Sequence, residues 1–261
     1  MDMTAVAVHT AFDAIENDFH RALDESLNPR GDDSVLDLVA AFDLGAGAKV
    51  VDVGCGRGNQ TIELAERFGF DVLGIDPVAR YEAAAARELA NGTARFGAGT
   101  AESIPVESSS LDLVFCRESL MFADLPSASA EFARVLRPGG RGLVYLVLTG
   151  PMMDDREAEA FHTRGRLQSL RPADVDDALT TAGLVVDDRV DYQGECGERS
   201  EEATGEPGRR LLYASRLLRQ SDRYISQFGR DNYDVMLGDC LWYVYRMIGK
   251  LTGYACTFTR I

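Results

Sequence analysis

One stretch constrains this chain more than any other: Val50-Val51-Asp52-Val53-Gly54-Cys55-Gly56-Arg57-Gly58-Asn59-Gln60-Thr61. A β-branched apolar run ends in an acid and breaks into alternating glycines, and a helix-compatible segment, Thr61 to Phe68, follows directly. The pattern predicts a strand, a tight turn and a helix. Glycine at 54, 56 and 58 lets the backbone take positive φ and lets a ligand approach without meeting a Cβ. Such a turn places a small molecule against main chain, in the crevice beyond the carboxyl end of a strand.

The next apolar run, Asp71-Val72-Leu73-Gly74-Ile75, closes on Asp76, 22 residues beyond Gly54. That is close to the ~20 residues at which a nucleotide-binding βαβ unit carries its ribose-binding acid. A dinucleotide fold is therefore the first competitor. Against it, Asn59 stands where the dinucleotide pattern wants its third glycine, and no Walker lysine follows.

At these residues the chain resembles the class I S-adenosylmethionine (SAM)-dependent methyltransferases. The resemblance covers Val51 to Gly58, Gly74-Ile75-Asp76-Pro77, Gly99-Thr100-Ala101-Glu102-Ser103-Ile104-Pro105, Leu111-Asp112-Leu113-Val114-Phe115 and Leu136-Arg137-Pro138-Gly139-Gly140, in the family's order over roughly residues 48–148. It implies a doubly wound, seven-stranded, mostly parallel sheet of order 3-2-1-4-5-7-6. It also implies that SAM is the cofactor, S-adenosylhomocysteine (SAH) the product, and a small molecule the methyl acceptor at oxygen, nitrogen or carbon. The cofactor positions it assigns here are Asp52, Gly54, Cys55, Gly56, Gln60, Asp76, Pro77, Ala101, Glu102 and Cys116. Asp76, with two acceptor oxygens, suits the two ribose hydroxyls. Asp52 falls where the ammonium of the amino-acid tail would sit, and Glu102 where the family reads the adenine edge.

The chain of 261 residues is 46% apolar and 26% charged, ordinary for one α/β domain with elaborations. Its net charge of −15 and pI near 4.6 are not ordinary, and they disfavour nucleic acid and anionic membranes as partners. No apolar run approaches a membrane span, and Met1-Asp2-Met3-Thr4 lacks a basic segment leading into an apolar one, so a cytoplasmic location is expected. Five widely spaced cysteines give neither a disulfide framework nor a zinc spacing and read as reduced, mostly buried thiols. No set of clustered acids resembles that of the family's metal-dependent branch, and no metal is expected.

Val8, Phe12, Ile15, Phe19 and Leu23 form the stripe of an amphipathic helix over 4–27, stopped by Asn28-Pro29; His9 and His20 lie on or near it and read as surface or packing residues. A second helix is expected from Ser34 to Leu44, with Val35, Leu38, Val39 and Phe42 buried. These helices, within 1–45, either cover the sheet or form a lid, and they would serve a homodimer as readily. Strands follow at Lys49–Val53, Asp71–Ile75, Thr93–Ala98, Leu111–Cys116 and Leu143–Leu148, with helices at Asn59–Phe68, Val78–Ala90 and Ala128–Leu136 between them. Alternation of this kind implies a doubly wound parallel sheet.

After Gly150 the pattern changes. Helices are expected over Asp154–Leu167 and Ala173–Ala182, a strand over Leu184–Tyr192 and a closing strand over Tyr254–Arg260. Gln193–Gly208, rich in Gly and Glu and without periodicity, reads as a mobile loop, and Leu211–Phe228 and Asp231–Leu251 as two long helices. The organisation is thus an amino-terminal element (1–45), a cofactor-binding core (46–192), a helical substrate cap (193–251) and the core's last strand (252–261). The last cap helix carries Tyr233, Asp239, Trp242, Tyr243, Tyr245 and Arg246 in an apolar background, and charged residues there need partners. Asp239 and Tyr243, four apart on one face, suit recognition of an amine or hydroxyl; Trp242, Tyr245 and Arg246 are the other substrate candidates. Arg117, behind the fourth strand in Cys116-Arg117-Glu118-Ser119, either holds a carboxylate in a bidentate fork or pairs with a nearby acid. Asp239, Tyr243 and Arg117 are the catalytic candidates. Two rivals keep the cofactor: a cyclase releasing methylthioadenosine from SAM, similar to azetidine-2-carboxylate synthases, and a non-catalytic SAM-binding module.

Overall fold

The structure, a computed structural model, describes residues 22–23, 30–31, 33–78 and 93–261. The first expected helix (4–27), with His9 and His20, lies outside the described residues apart from Ala22 and Leu23, which are helical, and so does the expected Val78–Ala90 helix apart from Val78. Helix α1 (Ser34–Ala40) stops four residues before Leu44, and it buries Val35, Leu36 and Val39. Next come β1 (Lys49–Val53), α2 (Asn59–Phe68), β2 (Asp71–Asp76), β3 (Ala94–Ala98), β4 (Leu111–Arg117), α3 (Leu125–Val135) and β5 (Leu136–Thr149). They lead to α4 (Asp155–Gly165), α5 (Pro172–Thr181) and β6 (Leu184–Gln193), and β7 (Leu251–Arg260) closes the sheet.

The seven strands are ordered β3-β2-β1-β4-β5-β7-β6, the order expected for a class I methyltransferase fold. β1 to β5 run parallel, and β7 enters antiparallel between β5 and β6. Because side chains alternate along a strand, each central strand feeds two cores. Val114 and Cys116 of β4, with Val144, Leu146 and Leu148 of β5, pack on one face with Phe132 of α3 and Val175 and Leu179 of α5. Leu113 and Phe115, with Leu143, Tyr145 and Val147, pack on the other with Val35, Leu64 and Phe161. Continuous apolar strands are the mark of a sheet covered on both sides.

The segment between β6 and β7 departs from expectation in two places. Glu195–Thr204, inside the expected loop, is a helix, α6, and the expected long helix over Leu211–Phe228 is two, α7 (Glu206–Arg219) and α8 (Ser221–Phe228), separated where Gln220 leaves helical geometry (φ −131°, ψ 39°). Helix α9 (Arg230–Met247) follows. α7 and α9 bury Ala214, Leu217, Tyr233, Leu237 and Cys240 in a small core of their own. α6 has no apolar stripe to announce it. It is fixed instead by a backbone approach: a Cβ on Gly197 would overlap the Arg246 carbonyl and the Met247 nitrogen, so only glycine lets α6 lie against the end of α9. At the same end of α6, Arg30 stacks on Tyr192 (4.2 Å) and donates from Nε to Glu195 (2.7 Å).

Candidate functional site

The site lies where β1, β2 and β4 end together. Gly54, at φ 76°, turns the chain off β1 so tightly that a Cβ there would lie 2.6 Å from Ser119 Oγ and nearer still to Ser119 Cβ. Ser119 is held in turn, donating to the Val53 carbonyl (2.8 Å) and meeting Cys116 Sγ at 3.0 Å. The two turns behind β1 and β4 are thus pressed together, and a cavity opens on each side of the contact.

The first cavity, about 420 Å³, is lined among others by Gly54, Gly56, Asp76, Pro77, Ala101 and Glu102. The Asp76 carboxylate is oriented by the amides of Gly56 (3.0 Å) and Val78 (2.8 Å), each of which donates to a different oxygen. Since a carboxylate has about four lone-pair sites, both oxygens keep acceptor capacity. Glu102 accepts from the Asp124 amide through one oxygen (2.7 Å). Phe122, two-thirds exposed, also faces this cavity.

The second cavity, about 450 Å³, shares Gly54 and Glu118 with the first. Its sheet side is Asp52, Cys55, Gln60 and Arg117; its other side is Cys196, Arg199, Ser200, Ala203 and Thr204 of α6 and Arg246 of α9. Asp52 is fully buried and accepts from Thr61 Oγ1 (2.6 Å). Burial raises its pKa to about 6, against the lowering effect of Thr61 and Arg117. Burial likewise pushes the Cys55 and Cys116 thiols up to about 12, so neither is a thiolate nucleophile at neutral pH. Arg117 donates to Gln60 Oε1 (3.2 Å) and lies 5.4 Å from the centre of the Tyr145 ring; among the described residues it makes no ion pair. Arg246, partly buried, faces Glu118 at 3.5 Å; burial works against its charge, but Glu118, Tyr145 and Cys196 hold its pKa above the ordinary value.

All the cofactor candidates except Cys116 line one cavity or the other. Arg117 and Arg246 do so too. Asp239, Trp242, Tyr243 and Tyr245 line neither. Asp239 is half-exposed and bound to Arg210 (2.6 Å), whose guanidinium also covers Tyr243 (4.8 Å). Trp242 stacks on Phe161 (6.1 Å), and Tyr245 tilts against the same ring (5.5 Å). Arg246 was accessible to sequence reasoning; Glu118, Ser119 and the α6 residues were not singled out. The signal for α6 was there in another form: positions 196, 199, 200, 203 and 204 fall on one helical face. Among the described residues no group of three or more His, Cys, Asp or Glu is placed to hold a metal ion, and no helix is long and apolar enough to cross a membrane.

Residues 50–140 match the methyltransferase domain family. The chain is 42% identical over 126 residues to nocamycin O-methyltransferase from Saccharothrix syringae, covering 45% of this chain and 42% of that protein. It spans about two fifths of the length of the first curated relatives it matches. Among solved structures it resembles phosphoethanolamine N-methyltransferase 2 from Haemonchus contortus, determined with phosphomonomethylethanolamine and SAH (TM-score 0.64, 17% identity, 89% of this chain and 53% of that one). It also resembles geranyl diphosphate C-methyltransferase from Streptomyces coelicolor A3(2), determined with Mg2+, geranyl diphosphate and SAH (TM-score 0.63, 18% identity, 87% and 78%).

Proposed function

We propose that the chain is a class I SAM-dependent methyltransferase and that it transfers the methyl group of SAM to the oxygen, nitrogen or carbon of a small molecule in specialised metabolism. The observation that carries this reading is the pair of cavities meeting at Gly54 and Glu118, one walled by Asp76 and one by buried Asp52. A nucleoside with an amino-acid tail has the same two-part shape.

The residues fit such a cofactor. Asp76, preset by two backbone amides, would accept from the ribose hydroxyls, and Glu102, Ala101, Pro77 and Phe122 would enclose the base. The Gly54–Gly56 main chain, with no Cβ in the way, permits close approach at the centre. Asp52 would meet the tail's ammonium, and Arg117, without a carboxylate partner of its own among the described residues, the tail's carboxylate in a bidentate fork. Bound SAM supplies a sulfonium whose methyl carbon accepts an electron pair from the acceptor as its bond to sulfur breaks, leaving the neutral thioether SAH. The protein's part is then to align the acceptor and exclude water. In this reading the helices between β6 and β7 form the acceptor's roof, with Arg246 reaching in from α9.

Calorimetric titration with SAM, SAH and NAD tests the cofactor assignment; micromolar SAH binding without NAD binding is the expected result. A metabolite screen for SAH release then identifies the acceptor. Methylthioadenosine appearing from SAM alone would overturn methyl transfer in favour of cyclisation.

A further inference from the structure

The helices between β6 and β7 carry a recess of their own, away from both cavities at the sheet. It lies among α7, α8 and the start of α9 and encloses about 500 Å³. Leu217 and Tyr233 line it as buried residues, while Tyr213, Phe228 and Met236 line it with side chains left more than a third exposed. None of its residues lines either of the other two cavities. Met236 precedes Arg246, where α9 meets the second cavity, by ten residues, about 15 Å along the helix axis.

The local sequence explains the opening. α8 is short and leaves the line of α7 at Gln220, so Tyr224 and Ile225 reach the small core shared by α7 and α9, but Phe228, at the end of α8, stays half exposed. Apolar space is thus walled by side chains from three helices. Clefts of about 300–1,000 Å³ with a mostly apolar, aromatic lining and a few polar groups are the usual form of a small-molecule site.

Charge says which molecules suit it. Between Glu206 and Arg230 six arginines stand against two acids, a local balance of +4 in a chain whose net charge is −15. Arg210 is taken up by Glu206 and Asp239. The other five, Arg209, Arg216, Arg219, Arg223 and Arg230, make no ion pair among the described residues. Arg219 donates to Ser215 Oγ (2.7 Å) and Arg223 to Gln220 Oε1 (3.0 Å), and Arg223 and Arg230 lie over the rings of Tyr224 and Tyr233. Arg216 lines the recess itself, with Asn232, and no acid does; Asp222, in the first turn of α8, stands outside the lining. A guanidinium with five donors and no carboxylate therefore borders apolar space.

We propose that this recess binds a small apolar acid, its hydrocarbon or aromatic body against Leu217, Phe228, Tyr233 and Met236 and its acid group on Arg216. The site is separate from that of methyl transfer and does not depend on the reading above. A local positive patch draws an anion to a molecule that elsewhere repels it, and the apolar body gains by leaving water.

Two fluorescent probes of one ring system separate charge from hydrophobicity: 1-anilinonaphthalene-8-sulfonate, and N-phenyl-1-naphthylamine, which lacks the sulfonate. The sulfonate binds at one site per chain about tenfold more tightly than the neutral probe, the difference one charge-assisted hydrogen bond makes. Arg216→Gln lowers affinity for the sulfonate about tenfold and leaves the neutral probe unchanged. Phe228→Ser, at an exposed position, weakens both by about tenfold while the melting temperature holds. Equal affinity of the two probes, no binding of either, or sulfonate affinity unchanged in either variant overturns the inference. So does displacement of the sulfonate by SAH, which would place it in the cofactor cavities. A homodimer that Phe228→Ser dissociates overturns it as well, because a second copy would then be the occupant.

Discussion

The sheet side of the site and the cap side face each other across Gly54 and Glu118, yet they owe their shapes to different forces. On the sheet side, positions are set by strand register: Val53 pairs with Ile75 and with Cys116, so the turns after β1, β2 and β4 must open at one level. On the cap side nothing is in register. α6 is held by a glycine contact with α9 and by the Arg30–Glu195 pair, whose members are both substantially exposed. A frame built from buried ladders tolerates little change, and one built from a helix resting on a helix tolerates more, which suits the half proposed to accommodate the acceptor.

The comparison breaks most directly at Gly54. In Gly54→Ala the new methyl collides with Ser119, at a φ that L-residues rarely adopt. Overpacking and backbone strain together cost about 3 kcal/mol. SAH affinity falls by about a hundredfold or more and the melting temperature drops, both measurable on the purified variant. Wild-type affinity in this variant would mean that the two cavities do not form one cofactor site.

Asp76→Ala comes next. It removes the carboxylate proposed to hold the ribose and frees two backbone amides that it orients. Loss of hydrogen bonds to a charged group predicts a fall in SAH affinity of about thirtyfold, read by calorimetry, with a smaller loss of stability.

These sheet-side residues were visible in the sequence because strand, glycine turn and helix each leave a signature there. β1 and α2 lie where the pattern put them, from Lys49 to Val53 and from Asn59 to Phe68. The cap was less legible for a physical reason. α6 carries Glu195, Glu198, Glu201 and Glu202 and no apolar stripe, because it docks through Gly197 and a polar cavity face rather than through buried side chains. Hydrophobic periodicity cannot report such a helix. In α9 the aromatic-rich run fits either a core or a pocket in the sequence, and the structure packs the rings of Trp242 and Tyr245 on Phe161.

A pH titration sharpens the contrast. Asp52, raised by burial to about 6, stays protonated in the folded chain at pH values where the unfolded chain has released its proton. Its contribution to stability is therefore present at low pH and is lost as pH rises through 6. Pairing with the tail's ammonium requires the ionised form, so SAH affinity rises about tenfold between pH 5 and pH 7, with a proton released on binding. Asp52→Asn, which keeps an oxygen for Thr61, flattens that dependence and leaves the folded chain more stable at neutral pH. The cap arginines do not titrate in this range, so a cap-side variant retains the slope.

Gly197→Ala strikes the cap in turn. The added methyl meets backbone of Arg246 and Met247, which cannot rotate away, so α6 must shift as a body. Amide hydrogen exchange over residues 195–204 speeds up, and the acceptor KM rises about fivefold, the factor that ~1 kcal/mol of misplacement produces. SAH affinity falls far less than in Gly54→Ala. Equal losses of both would show that α6 supports the cofactor rather than the acceptor.

The smallest effect is expected at Asp239, and its smallness is informative. Its carboxylate is about half exposed and its partner Arg210 also has Glu206 at 2.7 Å, so removal leaves the guanidinium still paired. Exposed ion pairs contribute about 0–1 kcal/mol, and Asp239→Ala should stay within that range in thermal denaturation. Turnover and acceptor KM should be unchanged, because Asp239 touches neither cavity. A loss of turnover without a loss of stability would instead carry acceptor recognition along α9 to the Asp239–Tyr243 face, and the boundary between scaffold and site on that helix would then lie one to two turns nearer its amino terminus than Arg246 places it.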